Sequence, residues 1–106
     1  MRNGKIGWAI VGYGVIGPWH ARAIANAPDA TLVAVCDIDP KREAKLREGG
    51  YDVPFYTSHL EMLKKERDID AISVCTYSGI HYQATVDAAK RGIHVLSEKP
   101  LDVTLA

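Results

Sequence analysis

Three groups of residues in this 106-residue chain have types and spacing that could do chemistry. The first is Gly12-Tyr13-Gly14-Val15-Ile16-Gly17, a GxGxxG that directly follows an apolar run, Ile6 to Val11, and opens a helix-like stretch. At such a junction each glycine has a mechanical task. Gly12 permits a tight turn, Gly14 lets the main chain approach a pyrophosphate, and Gly17 lets helix pack closely on strand. The amides near Val15 and Ile16 would then face phosphates at the positive end of the helix dipole. The second is Asp37, twenty residues after Gly17 at the end of the next apolar run, where an acid can bond the hydroxyls of an adenosine ribose. Asp37 and Asp39 would together repel a 2′-phosphate, which favours NAD over NADP, with Lys41 and Arg42 close enough to weaken the preference. The third is Ser97-Glu98-Lys99-Pro100 after the last apolar run, at the edge where open α/β sheets bind ligands. Each has a plainer reading: a tight turn, a turn aspartate, a solvated charged pair. The glycines and Asp37 agree on a dinucleotide from independent positions.

These residues need a scaffold, and the periodicity supplies one. Short β-branched runs alternate with helix-like stretches, the pattern of βαβ units and a parallel sheet. Strands are predicted at Ile6 to Val11, Thr31 to Cys36, Pro54 to Tyr56, Asp70 to Thr76 and Ile93 to Leu96. The first helix should run through about Ala27. Asp39-Pro40 reads as an N-cap with proline at the first helical position, and Gly49-Gly50 as the end of a short charged helix. Ser58 and Glu61 form a capping box that opens a third helix, and Ile80, Ala84 and Ala88 mark one face of a fourth that Gly92 closes. The fold class is therefore α/β, a doubly wound parallel sheet of the Rossmann type. Such sheets usually have about six strands, so residues 1–106 are expected to be a partial dinucleotide domain lacking its last strand, with strand five an open edge that favours homo-oligomers. Asp102 to Ala106 reads as a helix that has only begun.

Composition narrows the partners. Thirteen basic residues balance thirteen acidic ones, which gives little reason to expect nucleic acid or an anionic membrane, and the expected partner is a small molecule. The apolar run after the N-terminus is too short for a signal peptide or a span, so a cytoplasmic location is the expectation. Cys36 and Cys75 lie inside apolar runs without metal-type spacing and read as reduced core thiols, and neither His59 nor His94 has a partner pattern suggesting a metal. Trp8 and Trp19 read as packing residues.

Gly12 to Gly17 with His20 following, Asp37, Asp70-Ala71, His81 and Glu98-Lys99-Pro100 together resemble the N-terminal half of the Gfo/Idh/MocA oxidoreductases, over essentially the whole chain. The resemblance implies a pyridine-nucleotide dehydrogenase acting on a sugar, cyclitol or sugar-derivative hydroxyl. It implies the glycine loop on the pyrophosphate, Asp37 on the adenine ribose, and Glu98 near the nicotinamide ribose, with Pro100 completing that element. It also implies Lys99 as the catalytic residue at the reacting hydroxyl, and cofactor proximity for Thr76, Tyr77 and His81. Where family members often carry Thr-Pro-Asn, this chain has Thr76-Tyr77-Ser78. Family members also carry a C-terminal domain that supplies most substrate contacts, so the chain alone is expected to bind nucleotide without turnover. The alternative is a non-catalytic dinucleotide-binding or ligand-sensing module.

Overall fold

The computed structural model describes residues 4–14, 17–75 and 78–97, with the side chains of 78–82 and 97 excepted. Its five strands are β1 Ile6–Val11, β2 Ala30–Cys36, β3 Phe55–Tyr56, β4 Ala71–Val74 and β5 His94–Ser97, with helices α1 Gly17–Asn26, α2 Arg42–Glu48, α3 His59–Lys65 and α4 Ser78–Lys90 between them. All neighbours pair in parallel in the order β3-β2-β1-β4-β5. The order reverses between β1 and β4, which makes a crevice at the carboxyl ends of the strands.

The alternation of side chains along β1 shows how both faces are covered. Ala9 and Val11 join Met62 and Leu63 of α3 and Ala84 and Ala88 of α4 in one cluster. Ile10, between them, faces the other way and packs with Ala21 and Ile24 of α1 and Leu46 of α2. The β1–β2 register slips between Trp8 and Ala9, with Trp8 opposite Leu32 and Ala9 opposite Ala34. The extra residue, Val33, therefore lies with Ala34 in the first cluster instead of opposing it.

Two local expectations change. The Ser58 cap forms as predicted, its side chain accepting from the Glu61 amide at 3.4 Å. Asp39, however, does not cap α2. Bonds of the i to i+3 kind, Arg42 N to Asp39 O at 3.0 Å and Glu43 N to Pro40 O at 3.3 Å, make a turn first, and Asp39 Oδ1 accepts from the Lys41 amide within it. The helix then starts at Arg42. Trp19 is not a packing residue either: it is 66% exposed, with the Arg22 guanidinium 5.4 Å above its ring. The buried stripe of α1 is Gly17, Ala21 and Ile24, and position 19 lies on the opposite side of a 3.6-residue turn. Trp8 does pack, half-buried against the α1/α2 cluster.

Asp70 ties the start of β4 to β1. Its amide donates to Gly7 O at 2.7 Å and its Oδ2 accepts from Gly7 N at 2.8 Å. Among the described residues no helix is long and apolar enough to cross a membrane.

Candidate functional site

The chain leaves β1 through Gly12, whose amide donates to Cys36 O at 2.7 Å and whose φ of 98° is one that side chains rarely adopt. That turn brings the next peptide against β2, where the Tyr13 amide donates to Asp37 Oδ2 at 2.7 Å. Asp37 Oδ1 meanwhile accepts from the Asp39 amide at 2.9 Å. One carboxylate thus holds the glycine turn and the β2–α2 turn together. Each oxygen has used one of two lone pairs, and the remaining capacity is available to hydroxyl donors.

Gly17 is required by packing. A Cβ there would lie 2.8 Å from Gly12 O and 2.9 Å from Tyr13 Cδ1, and the Tyr13 ring is fully buried between α1 and the sheet. Gly14 is different, because a Cβ at this position would meet no described atom within 4 Å. Its carbonyl accepts from Lys45 Nζ of α2 at 2.8 Å. Gly14 thus has open space where Gly17 has none.

A cleft of about 660 Å³ runs along the carboxyl ends of the strands. Gly12, Gly14, Asp37, Ile38, Arg42, His59 and Gln83 are among the residues that line it. Arg42 Nε stands 3.8 Å from Asp39 Oδ2, so part of its charge is offset before any ligand arrives. Cys36 and Cys75 also touch the cleft, and no disulfide forms among the described residues. Burial, and then the neighbouring Asp37 charge, pushes the Cys36 thiol up to about 12, which keeps it protonated and unreactive. The two cysteines end strands on either side of β1, about 9.5 Å apart by strand spacing and too far for a disulfide.

Of the residues predicted from sequence, the structure brings Gly12, Gly14 and Asp37 to one cleft and places Gly17 at its helix. Val15, Ile16, Thr76, Tyr77, Glu98, Lys99 and Pro100 lie outside the described residues, as does Asp102 to Ala106. His81 falls on the described backbone of α4 with its side chain outside. Sequence reasoning missed Lys45, which is 31 residues from the carbonyl it holds. It also missed the pairing of His59 with Asp87, 28 residues apart. No local spacing signals either contact.

A doubly wound sheet with a glycine turn at β1, an acid at the end of β2 and a cleft across the strand-order reversal defines a dinucleotide-binding domain. The chain belongs to the Gfo/Idh/MocA family, described as an oxidoreductase family with an NAD-binding Rossmann fold, which it matches over residues 6–106. It is 33% identical to inositol 2-dehydrogenase of Rhizobium meliloti, covering 91% of this chain and 28% of that protein. Among solved structures it is similar to scyllo-inositol dehydrogenase of Lactobacillus casei with bound NAD(H) and scyllo-inositol, at a TM-score of 0.79 and 32% identity, covering 92% of this chain and 28% of that one. It is equally similar in fold to the WlbA dehydrogenase of Bordetella pertussis in complex with NADH and UDP-GlcNAcA, at 0.79 and 35% identity, covering 92% and 29%. The chain thus spans under a third of the length of these relatives.

Proposed function

We propose that this chain is the coenzyme-binding part of an NAD-dependent dehydrogenase whose substrate is a hydroxyl of a cyclitol, sugar or sugar derivative. The observation that carries the coenzyme half is Asp37, one carboxylate that anchors the glycine turn while lining the cleft beside it. Gly12, Gly14, Val15, Ile16 and Gly17 would hold the diphosphate and Asp37 the adenosine ribose. Asp37 and Asp39 disfavour a 2′-phosphate, which supports NAD over NADP. The substrate half is supported by the two solved relatives, one in complex with scyllo-inositol and the other with UDP-GlcNAcA.

When bound, the coenzyme supplies the hydride acceptor or donor. What the chain itself does is grip and orient: the Tyr13 amide and the Gly14 carbonyl are both fixed from the β2–α2 side, by Asp37 and Lys45, so the loop is set before a ligand arrives. Glu98, Lys99 and Pro100 are proposed as the nicotinamide-side element, with Lys99 moving the hydroxyl proton. Thr76, Tyr77 and His81 are proposed to stand near the coenzyme. The chain spans under a third of the length of the two solved dehydrogenases, so the 106 residues alone are proposed to bind without turnover.

Titration calorimetry tests the core of this reading. NADH should bind more tightly than NADPH, and absence of heat with either on folded material overturns it. Asp37→Ala should weaken NADH by roughly thirtyfold, about 2 kcal/mol for charge-assisted bonds, and narrow the margin over NADPH. An unchanged NADH affinity in that variant would remove Asp37 from the site.

A further inference from the structure

Residues that follow four strands line one cleft: Gly12 after β1, Asp37 and Ile38 after β2, Thr57, Ser58 and His59 after β3, and Cys75 after β4. With the ribose at Asp37 and the diphosphate at the glycine turn, the base of the nucleotide is left to the rest of that lining, which includes His59 and Gln83.

His59 reaches the cleft already oriented. Its Nε2 is 2.8 Å from Oδ2 of Asp87 on α4, a residue only 7% exposed, and Gln83 Nε2 donates to both Asp87 oxygens at 3.2 Å. The hydrogen bond from His59 is the main cause that holds the Asp87 carboxyl below its ordinary value; burial opposes it, and Gln83 and the Lys90 charge assist. An ionised carboxylate accepts and cannot donate, so the proton of a neutral His59 ring belongs on Nε2. Nδ1 is then an acceptor, and it has no hydrogen-bond partner among the described residues.

We propose that His59, held by Asp87, reads the base of the bound coenzyme by accepting a hydrogen bond from the 6-amino group of adenine. This rests on the coenzyme reading above and adds base recognition to a cleft whose other named groups grip sugar and phosphate. A purine with an oxo group at that position presents an acceptor to an acceptor and binds less well. Asp87 is a positioning residue, which acts by fixing the tautomer and the ring.

NADH and reduced nicotinamide hypoxanthine dinucleotide differ only at the purine 6-position and the proton that follows from it. Titrated into the full chain at pH 8, NADH should bind roughly tenfold more tightly, the worth of one such hydrogen bond. His59→Phe removes the acceptor nitrogen while Gln83 still donates to the buried Asp87, and it should bring the ratio near one while the hypoxanthine form keeps its affinity. Asp87→Asn, which no longer dictates the tautomer, should shrink the ratio as well. A merely structural role would lower the melting temperature of these variants without moving the ratio. Equal affinity of the unsubstituted chain for the two dinucleotides overturns the proposal, as does an adenine preference that survives in both variants. If neither dinucleotide binds, it is the coenzyme reading that falls, an outcome distinct from binding without base preference.

Discussion

Gly7→Ala should destabilise this chain by about 3 kcal/mol, more than most single substitutions, although position 7 carries no functional group. A Cβ on Gly7 would stand 1.9 Å from Asp68 O and 3.1 Å from Val33 Cγ2, so backbone and not a yielding side-chain tip is in the way. Relief would require β1 to move. It lies between β2 and β4, and Gly7 itself is tied to Asp70 by two bonds of 2.7 and 2.8 Å, so any shift breaks pairing on both sides. At roughly 4–8 °C per kcal/mol for a domain of about this size, the melting temperature should drop by more than about 10 °C. Gly14→Ala provides the contrast, since its Cβ enters open space. It should leave melting nearly unchanged, within about 0.5 kcal/mol, and weaken NADH. Urea unfolding of both variants decides, and a Gly7→Ala protein within about 1 kcal/mol of the parent would show that β1 yields where the geometry says it cannot.

The contrast between these glycines also marks what sequence can disclose. Gly12, Gly14 and Gly17 are legible because their need is local: a strand must become a helix within six residues, and the spacing records it. Gly7 is not legible, because the atom that forbids a side chain there belongs to Asp68, brought in by the β1–β4 pairing. The parallel α/β class and the alternation of strands with helices follow from periodicity and turn residues, and they agree with the structure. The start of α2 fails for a local reason, since the Asp39 side chain serves the turn to Lys41. Lys45 and the His59–Asp87 pair fail for the same reason as Gly7. A lysine on a charged helix and a histidine after a serine look like solvated residues until the sheet brings Gly14 and α4 beside them. The sequence points to Asp37 for its reach to a ribose, and its second task, holding the Tyr13 amide, follows from the parallel pairing of β1 with β2.

The largest functional effect is expected at Lys99. Glu98-Lys99-Pro100 follow β5 directly, and β5 is parallel to β4 as β4 is to β1, so the chain leaves β5 on the same sheet edge as the cleft. Oxidising a carbinol carbon requires its hydroxyl proton to leave as well, and an amine beside a cationic nicotinamide ring is disfavoured as ammonium, which makes it a usable base. In any form of the protein that turns over a polyol, Lys99→Ala should lower kcat by about 10²–10⁴, the usual contribution of a positioned general base and about 3–5 kcal/mol of barrier. The Kd for NADH should change by less than about threefold, because a group acting only in the transition state adds little to ground-state binding. Lys99→Arg should not rescue the rate, since a guanidinium does not release its proton in the working range. Loss of the acidic limb of the kcat–pH profile, where a general base becomes protonated, would separate proton transfer from positioning. Turnover retained within about tenfold in Lys99→Ala would move the base elsewhere. If Lys99→Ala instead altered only dinucleotide affinity, in a protein that turns over none of a panel of cyclitols and sugars, the chain would be a sensor built on the same glycine turn.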